Sequence, residues 1–208
     1  MDYEGIQPRH FRRQTMRVHI ATSRQIGERC IEFARKKYDL VGIDECDVFI
    51  SVMYDKLVSE HFISSKVRCL NFHPGLLPEY RGSGAFSWSI INGERFCGVT
   101  LHELETDIDS GGIIDQRMFP VEVTDTAESL FKKGMDGIYD LFTTHLDSLI
   151  AGTYETKSQN QSAARTYYRR DLERQRDLTR FVKAFTFSGK NPAYFVNARG
   201  EKVELRYE

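Results

Sequence analysis

Three side chains that could carry out acyl transfer lie in two short segments of the chain. Asn71 and His73 end a predicted strand, and Asp109 lies in a later glycine-rich turn. An amide N–H can donate to an oxyanion as a tetrahedral intermediate forms. An imidazole can move a proton near neutral pH, and a carboxylate can orient that imidazole or hold a water that relays the proton. No serine or cysteine nucleophile is needed, because an amine substrate can attack the acyl carbon directly.

The ends of neighbouring strands must bring these three side chains together. The run 67–72 (VRCLNF) predicts a strand, and if it continues to His73, period-2 alternation places Asn71 and His73 on one face. Two more predicted strands, 96–104 and 113–120, flank Asp109. Functional groups of open α/β sheets collect where the carboxyl ends of strands meet loops. Spacing alone also fits local hydrogen bonding and turn formation, so it leaves the function open.

The first two thirds of the chain alternate between strand and helix patterns. This alternation predicts an α/β fold with a mostly parallel sheet and crossover helices. The second strand (DVFISVM) is apolar enough to be buried on both faces. The remaining elements are strands at 16–22 and 47–53, helices at 25–38 and 85–92, and a long helix from an N-cap at Thr124 or Asp125 to Gly152.

The chain divides into three predicted parts. A polar extension, 1–15, precedes a catalytic domain over 16–152, and 153–208 forms a linker, a helical segment and a C-terminal β-hairpin. The last part comprises a polar linker at 153–162, a basic stretch at 165–180, and hairpin strands at 193–197 and 202–207 around a turn at 198–200.

The composition is that of a globular protein and argues against several function classes. The 29 basic and 30 acidic residues give a net charge of −1, which argues against a nucleic-acid partner. No apolar run approaches the ~20 residues that span a bilayer, and the N-terminus lacks the apolar segment of a secretory signal. The cysteines have no CxxC spacing, which predicts buried thiols in a cytoplasmic protein without disulfides or metal. They are Cys30, Cys46, Cys69 and Cys97.

Three ordered motifs resemble the folate-dependent formyltransferase family. They are residues 71–82 (NFHPGLLPEYRG), 98–101 (GVTL) and 107–114 (DIDSGGII). The resemblance implies a Rossmann-like formyltransferase core, 10-formyltetrahydrofolate as co-substrate without a metal, and Asn71, His73 and Asp109 as the catalytic residues. It also implies that an amine attacks the formyl carbon while Asn71 stabilises the oxyanion and His73 and Asp109 manage the proton.

The same resemblance implies an apolar slot for the pterin ring, edged by backbone groups. The candidates follow the second strand or lie in the turn before Asp109. The predicted cofactor-binding residues are Val52, Met53, Tyr54, Lys56, Leu57, Glu105 and Asp107. Since the side chains of Val52 and Met53 also fit a strand core, their backbone groups are the expected contacts.

The tail is similar to that of nucleotide-sugar N-formyltransferases. The similar segments are 166–172 (TYYRRDL), 181–187 (FVKAFTF) and 191–196 (NPAYFV). This similarity implies formylation of the amino group of a nucleotide-linked deoxyamino sugar for polysaccharide biosynthesis. The methionyl-tRNA branch carries a larger C-terminal barrel and a basic surface, which the near-neutral charge and short tail argue against.

Six residues are candidates for binding this substrate. They are Arg81, Gly82, Trp88, His102, Tyr167 and Arg169. Tyr167 could stack on the nucleobase, while Arg81 and Arg169 could pair with the diphosphate. Trp88 fits either a sugar pocket or a helix core, and His102 fits either the site or an ordinary half-buried strand position. Arg169 also fits a solvated basic face.

The N-terminal half is shorter than the resemblance implies. Only about fifty-five residues separate Met16 from Asn71, so one strand–helix unit is abbreviated, with 41–47 as its remnant. A homodimer contact would complete the folate pocket. Two alternatives stay open: formylation of another small amine, such as glycinamide ribonucleotide or a hydroxylated amino acid, and a non-catalytic sugar-nucleotide binding module.

Overall fold

A five-stranded sheet forms the centre of the molecule, whose computed structural model describes residues 16–174, 178–196 and 200–205. Its strands in spatial order are β1 (Val18–Thr22), β2 (Val48–Val52), β3 (Arg68–His73), β5 (Phe96–Glu103) and β6 (Ile113–Pro120), while β4 (Arg81–Gly82) lies outside it. The first three strands pair in parallel, and β5 pairs antiparallel with both β3 and β6. Four of the five strands therefore run in one direction, which confirms the predicted mostly parallel α/β sheet.

Helices cover the sheet. They are α1 (Gln25–Ala34), α2 (Glu60–Ser65), α3 (Ala85–Asn92), α4 (Ala127–Ala151) and α5 (Leu178–Phe185). The apolar stripes of α1 and α4 pack with one face of the sheet into the main core, and the opposite face packs around Phe49. All five residues of β2 are buried, as its apolar run predicts. The four cysteines are free and buried, and burial raises the pKa of the Cys30 and Cys97 thiols to about 12.

Two helix starts differ from the sequence prediction. The N-cap of α4 is Thr126, whose hydroxyl forms a capping box with Ser129, and not Thr124 or Asp125. Asp125 is engaged elsewhere, because its carboxylate accepts from Lys133 Nζ at 2.7 Å. Helix α2 was not predicted. Its six residues are too few to show a helical period. Only the N-cap marks its start, where Ser59 Oγ accepts a hydrogen bond from the Phe62 N–H.

After helix α1, the N-terminal half carries only short regular elements between its strands among the described residues. The segment 41–47, expected as the remnant of a strand–helix unit, contains one 3₁₀ turn (Ile43–Glu45). Between β2 and β3 the short helix α2 is the sole regular element among the described residues. The strand ends of this half are consequently linked by loops, which lie at the edge where a ligand would bind.

The tail returns to the sheet edge after α4. Strand β7 (Thr166–Tyr167) pairs in parallel with β4, and a 3₁₀ helix (Arg169–Arg174) and α5 follow. Strands β8 (Ala193–Val196) and β9 (Lys202–Leu205) form the predicted antiparallel hairpin. The turn residues 197–199, the last residues 206–208 and the predicted extension 1–15 lie outside the described residues. None of the described helices is long and apolar enough to cross a membrane.

Candidate active site

The carboxyl end of β3 presents Asn71 and His73 on one face, as strand alternation predicts. Across the β3–β5 pairing, His102 lies opposite Asn71. His73 is 3% exposed and His102 is fully buried. The two imidazole rings lie edge to face, with centroids 6.2 Å apart. Polar side chains so deeply buried need partners, and Asp109 in the loop after β5 is one partner that the two histidines share.

Asp109, in that loop, gathers the predicted trio around one carboxylate. Its Oδ2 lies 3.4 Å from His73 Nδ1, and its Oδ1 lies 3.5 Å from Asn71 Nδ2 and 3.7 Å from His102 Nε2. The Gly82 N–H donates to Oδ2 at 2.8 Å. Asp109 itself has a left-handed backbone, φ 49°, which is uncommon for a residue with a Cβ. The contacts on both carboxylate oxygens hold the side chain in place.

The hydrogen-bond partners of the two histidines assign their protons. His73 Nε2 lies 2.7 Å from the Tyr80 carbonyl oxygen, which only accepts, so this nitrogen donates and Nδ1 faces Asp109. His102 Nδ1 donates to the Glu103 carbonyl at 2.7 Å, which leaves Nε2 to accept from Asn71 Nδ2 at 3.1 Å. Burial lowers the pKa of His102 to about 4, against the opposing effect of the Asp109 charge. His102 is therefore neutral at neutral pH.

This arrangement sets the direction of the Asn71 amide. One N–H donates to neutral His102, and the other makes the long contact of 3.5 Å with Asp109. A contact of that length is weak, so the same N–H can turn to an oxyanion that forms nearby. His73 and Asp109 together offer a site for a proton at the Nδ1 edge of the imidazole, because Nε2 is held by Tyr80.

The loop between β3 and β4 packs tightly over His73. Thr100 Oγ1 donates to the Gly75 carbonyl at 2.7 Å and accepts from the Leu77 N–H at 3.2 Å. A Cβ at Gly75 would lie 2.8 Å from His73 Nε2, so a side chain there would displace the imidazole. Thr100 and Gly75 were not predicted as site residues, although Gly75 belongs to the 71–82 motif.

Gln159 is the main site residue that sequence reasoning missed. It lies in the segment expected to be a polar linker, yet it is 6% exposed. Its Nε2 donates to the carbonyls of Asp109 and Gly111, both at 2.8 Å, and its Oε1 accepts from Arg81. A glutamine among other polar residues gives no sequence signal of such burial. The backbone of Lys157 also pairs with Ile113, so this segment runs along β6.

Three of the six predicted substrate-binding residues lie next to the trio. His102 accepts from Asn71, and Gly82 donates to Asp109, as described above. Gly82 has φ 89°, and a Cβ there would lie 2.2 Å from the Tyr167 carbonyl oxygen. The Arg81 guanidinium is turned inward: the residue is 9% exposed, with Nε and Nη2 donating to Gln159 Oε1 at 3.0 and 2.7 Å.

The other three predicted substrate-binding residues lie beside the site. Trp88 is 6% exposed, belongs to a buried cluster on α3 and donates to the Tyr168 carbonyl. The ring of Tyr167 packs on Trp88, with centroids 4.8 Å apart, and stacks on Tyr80 at 5.2 Å. Arg169 is exposed, and its N–H donates to Ser83 Oγ. Trp88 and Tyr167 thus form a packed support for the β4 strand, and Arg169 faces solvent.

The predicted folate contacts line the end of β2 and the turn before Asp109. Val52 is fully buried, and Met53 has a left-handed backbone with φ 53°. Tyr54 packs edge-on against Phe49. The remaining four residues are exposed: Lys56, Leu57, Glu105 and Asp107. The side chain of Val52 belongs to the core, which fits the expectation that backbone groups make the contacts here.

The fold and the Asn–His–Asp cluster at the open edge of its sheet define an α/β group-transfer enzyme. Residues 11–145 match the family model described as formyl transferase, and the chain belongs to that family. The resemblance read from the motifs is thereby confirmed, and with it the formyltransferase class of the enzyme.

Named relatives and solved structures agree with this membership. The dTDP-4-amino-4,6-dideoxyglucose formyltransferase of Mycobacterium tuberculosis is 32% identical in an alignment of 190 residues, and the match covers 80% of this chain and 80% of that one. A sugar N-formyltransferase from a Shewanella species superposes with a TM-score of 0.81 at 20% identity, covering 93% of this chain and 97% of that one. An N-formyltransferase from Helicobacter canadensis, in complex with folinic acid and dTDP-3-aminofucose, gives 0.75 at 23% identity over 83% and 81%. The two structures share the fold.

Proposed function

We propose that this enzyme transfers the formyl group of 10-formyltetrahydrofolate to the amino group of a nucleotide-linked deoxyamino sugar. The observation that carries the proposal is the meeting of Asn71, His73 and Asp109 at the sheet edge of a formyl transferase fold. The sugar nucleotide is supported by the name of the 32%-identical relative. Folate is supported by the folinic acid in the Helicobacter canadensis structure.

In the proposed reaction, the sugar amine attacks the formyl carbon, and a new C–N bond gives a tetrahedral oxyanion. Asn71 donates an N–H to that oxyanion. The C–N bond to the folate nitrogen then breaks, tetrahydrofolate leaves with a proton on that nitrogen, and the attacking amine gives up a proton. The His73–Asp109 pair accepts and returns this proton, since Nδ1 is the edge of the imidazole that Tyr80 leaves free.

The surface beside β4 offers groups for the nucleotide. Tyr168 is 36% exposed, with the Arg170 guanidinium 4.8 Å from its ring centroid, and Arg169 is exposed next to Ser83. An exposed tyrosine ring can stack on a base, and an exposed guanidinium can pair with a diphosphate. Since Tyr167 is packed against Tyr80 and Trp88, Tyr168 is the better stacking platform of the two.

The end of β2 is the proposed folate wall. The half-buried Met53 and the exposed Leu57 supply apolar surface there. Because this half of the sheet is short, we also propose that the enzyme works as a homodimer whose partner completes the wall, and that it serves polysaccharide biosynthesis. Light scattering of the purified protein tests the dimer, and a monomer with full activity would contradict it.

Release of tetrahydrofolate, followed by absorbance, tests the function directly. We expect turnover with 10-formyltetrahydrofolate and at least one member of a panel of dTDP-, UDP- and GDP-linked amino sugars. Glycinamide ribonucleotide and hydroxylated amino acids serve as comparison acceptors. Turnover with one of these acceptors alone would show that it, and not an amino sugar, is the substrate. Tight binding of a sugar nucleotide without turnover would identify a non-catalytic binding module.

A further inference from the structure

The side chain of Gln159 joins the two pieces of backbone that meet at the proposed active site. Its amide N–H groups donate to the carbonyls of Asp109 and Gly111 in the loop after β5. Its carbonyl oxygen accepts two hydrogen bonds from Arg81 on β4. All four hydrogen-bonding positions of the amide are used, and backbone carbonyls accept only donors, so the amide has a single allowed orientation.

The loop that Gln159 holds is under conformational constraint. Asp109 keeps a left-handed backbone without being glycine, a state that persists only where surrounding contacts enforce it. Gly111 is packed so closely that a Cβ would lie 2.0 Å from the Glu103 carbonyl oxygen. The two Gln159 bonds fall on the carbonyls of these residues, on either side of Ser110. Gln159 therefore holds the backbone segment that determines the direction of the Asp109 carboxylate.

Arg81 completes the connection. Its N–H groups reach Gln159, while the N–H of the next residue, Gly82, donates to Asp109 Oδ2 at 2.8 Å. The loop is thus tied to β4 twice, once through its carboxylate and once through its backbone. No carboxylate of the described residues lies within ion-pair distance of Arg81, so the guanidinium depends on the glutamine oxygens.

We infer that Gln159 is a positioning residue that fixes Asp109, and through it His73 and Asn71, for formyl transfer. The inference rests on the proposed function and adds a residue from outside the family's three motifs. It assigns the buried guanidinium of Arg81 to the same task. Misplacing a catalytic carboxylate by about 1 Å lowers turnover on the order of 10²-fold, so this is the expected loss when the connection is cut.

The chain offers a matched pair of variants for the test. Gln159→Glu keeps an oxygen acceptor for Arg81 but removes both donors to the Asp109 loop. Gln161→Glu adds the same charge beside the same guanidinium, since Gln161 Oε1 accepts from Arg81 Nη2 at 3.1 Å, but it makes no bond to the loop. We expect kcat to fall on the order of 10²-fold for Q159E and only a few-fold for Q161E, with KM for both substrates nearly unchanged. Circular dichroism and thermal unfolding verify that both variants are folded.

A double-variant cycle separates positioning from a general structural role. In an Asp109→Asn background, Q159E should change the residual kcat by no more than about twofold, because the residue through which Gln159 acts is already altered. Equal losses for Q159E and Q161E, or a full additional loss in the Asp109→Asn background, would overturn the inference.

Hydrogen exchange keeps the inference testable independently of activity. Amides in residues 105–112 should exchange faster in Q159E than in the wild type or Q161E. If the wild-type protein formylates no acceptor, the proposed function fails, and this exchange comparison still decides whether Gln159 holds the loop. Unchanged exchange in Q159E would overturn that role.

Discussion

The neighbouring ends of β3 and β2 differ sharply in how deeply their side chains are buried. At the end of β3, His73 is buried beside His102 of the neighbouring β5, and the ring nitrogens of both have polar partners. At the end of β2, Leu57 is 98% exposed, and the contacts that hold the loop include Ser23 Oγ donating to Asp55 at 2.5 Å. The groups for chemistry are preorganised, while the proposed wall for the co-substrate is open. Changes at β3 should act on kcat, and changes at β2 on KM.

Asn71→Ala should give the largest effect. The amide N–H is the proposed oxyanion donor, and removing one such donor typically costs about 10²–10³-fold in kcat. The KM for the sugar nucleotide should change little, because the nucleotide is proposed to bind near Tyr168 and Arg169. Steady-state kinetics of tetrahydrofolate release measures both constants. If the variant keeps its kcat, another group must stabilise the oxyanion. The expected division, with β3 acting on kcat and β2 on KM, would then be wrong.

Acid should destabilise the protein through the buried imidazole of His102, next to the end of β3. The pKa of His102 is about 4 in the folded protein, because the imidazole is buried, and about 6.5 in an unfolded chain. The unfolded state therefore binds more protons between these values. The contribution of neutral His102 to stability is present above pH 6.5 and is lost as the pH falls toward 4, by up to about 1.4 kcal/mol per pH unit.

Denaturant unfolding at several pH values between 4 and 7 measures this effect. His102→Gln keeps a polar group near Asn71 but does not titrate, so its unfolding free energy should fall less steeply with acid than that of the wild type. His61→Gln, at an exposed position on α2, is the control and should follow the wild-type curve. Parallel curves for wild type and His102→Gln would show that the buried imidazole does not carry the acid sensitivity.

Leu57→Ser should give the smallest effect. The side chain is almost fully exposed, so stability should change by less than about 0.5 kcal/mol. If the β2 loop forms the folate wall, loss of apolar contact should raise the KM for 10-formyltetrahydrofolate about 5- to 20-fold and leave kcat unchanged. An unchanged KM would move the folate wall away from this loop. A lower kcat would show that the loop also positions the reacting groups.

The same contrast explains what the sequence could predict. The side-by-side placement of Asn71 and His73 follows from local alternation along one strand, and the sheet follows from apolar runs separated by turns. The contact between Gln159 and Asp109 joins residues fifty positions apart through a side chain that local patterns treat as solvated. Only the packed fold creates the buried environment in which that amide is needed.

Helix boundaries show a related limit. The sequence predicts Thr124 or Asp125 as the N-cap of α4, but the next residue, Thr126, has an equally suited side chain and is the cap in the structure. The Asp125 carboxylate accepts from the Glu122 N–H, Ser129 Oγ and Lys133 Nζ, while the Thr126 hydroxyl accepts from the Ser129 N–H as the cap. Propensity thus places the start of the helix to within two residues, and the side-chain contacts of the folded chain identify the cap.

The junction between β4 and β7 has a consequence for how such an enzyme can diversify. It consists of main-chain bonds: the Arg81 N–H donates to the Arg165 carbonyl, and the Ser83 N–H to the Tyr167 carbonyl. Bonds of this kind do not depend on side-chain identity, apart from the glycine at 82 that allows the close approach. Exposed side chains that the tail carries past the catalytic edge, such as Tyr168 and Arg169, can therefore be exchanged without loss of this pairing. The proposed acceptor preference can then change in descendants while the packed Tyr167 and Gln159 keep the transfer chemistry intact.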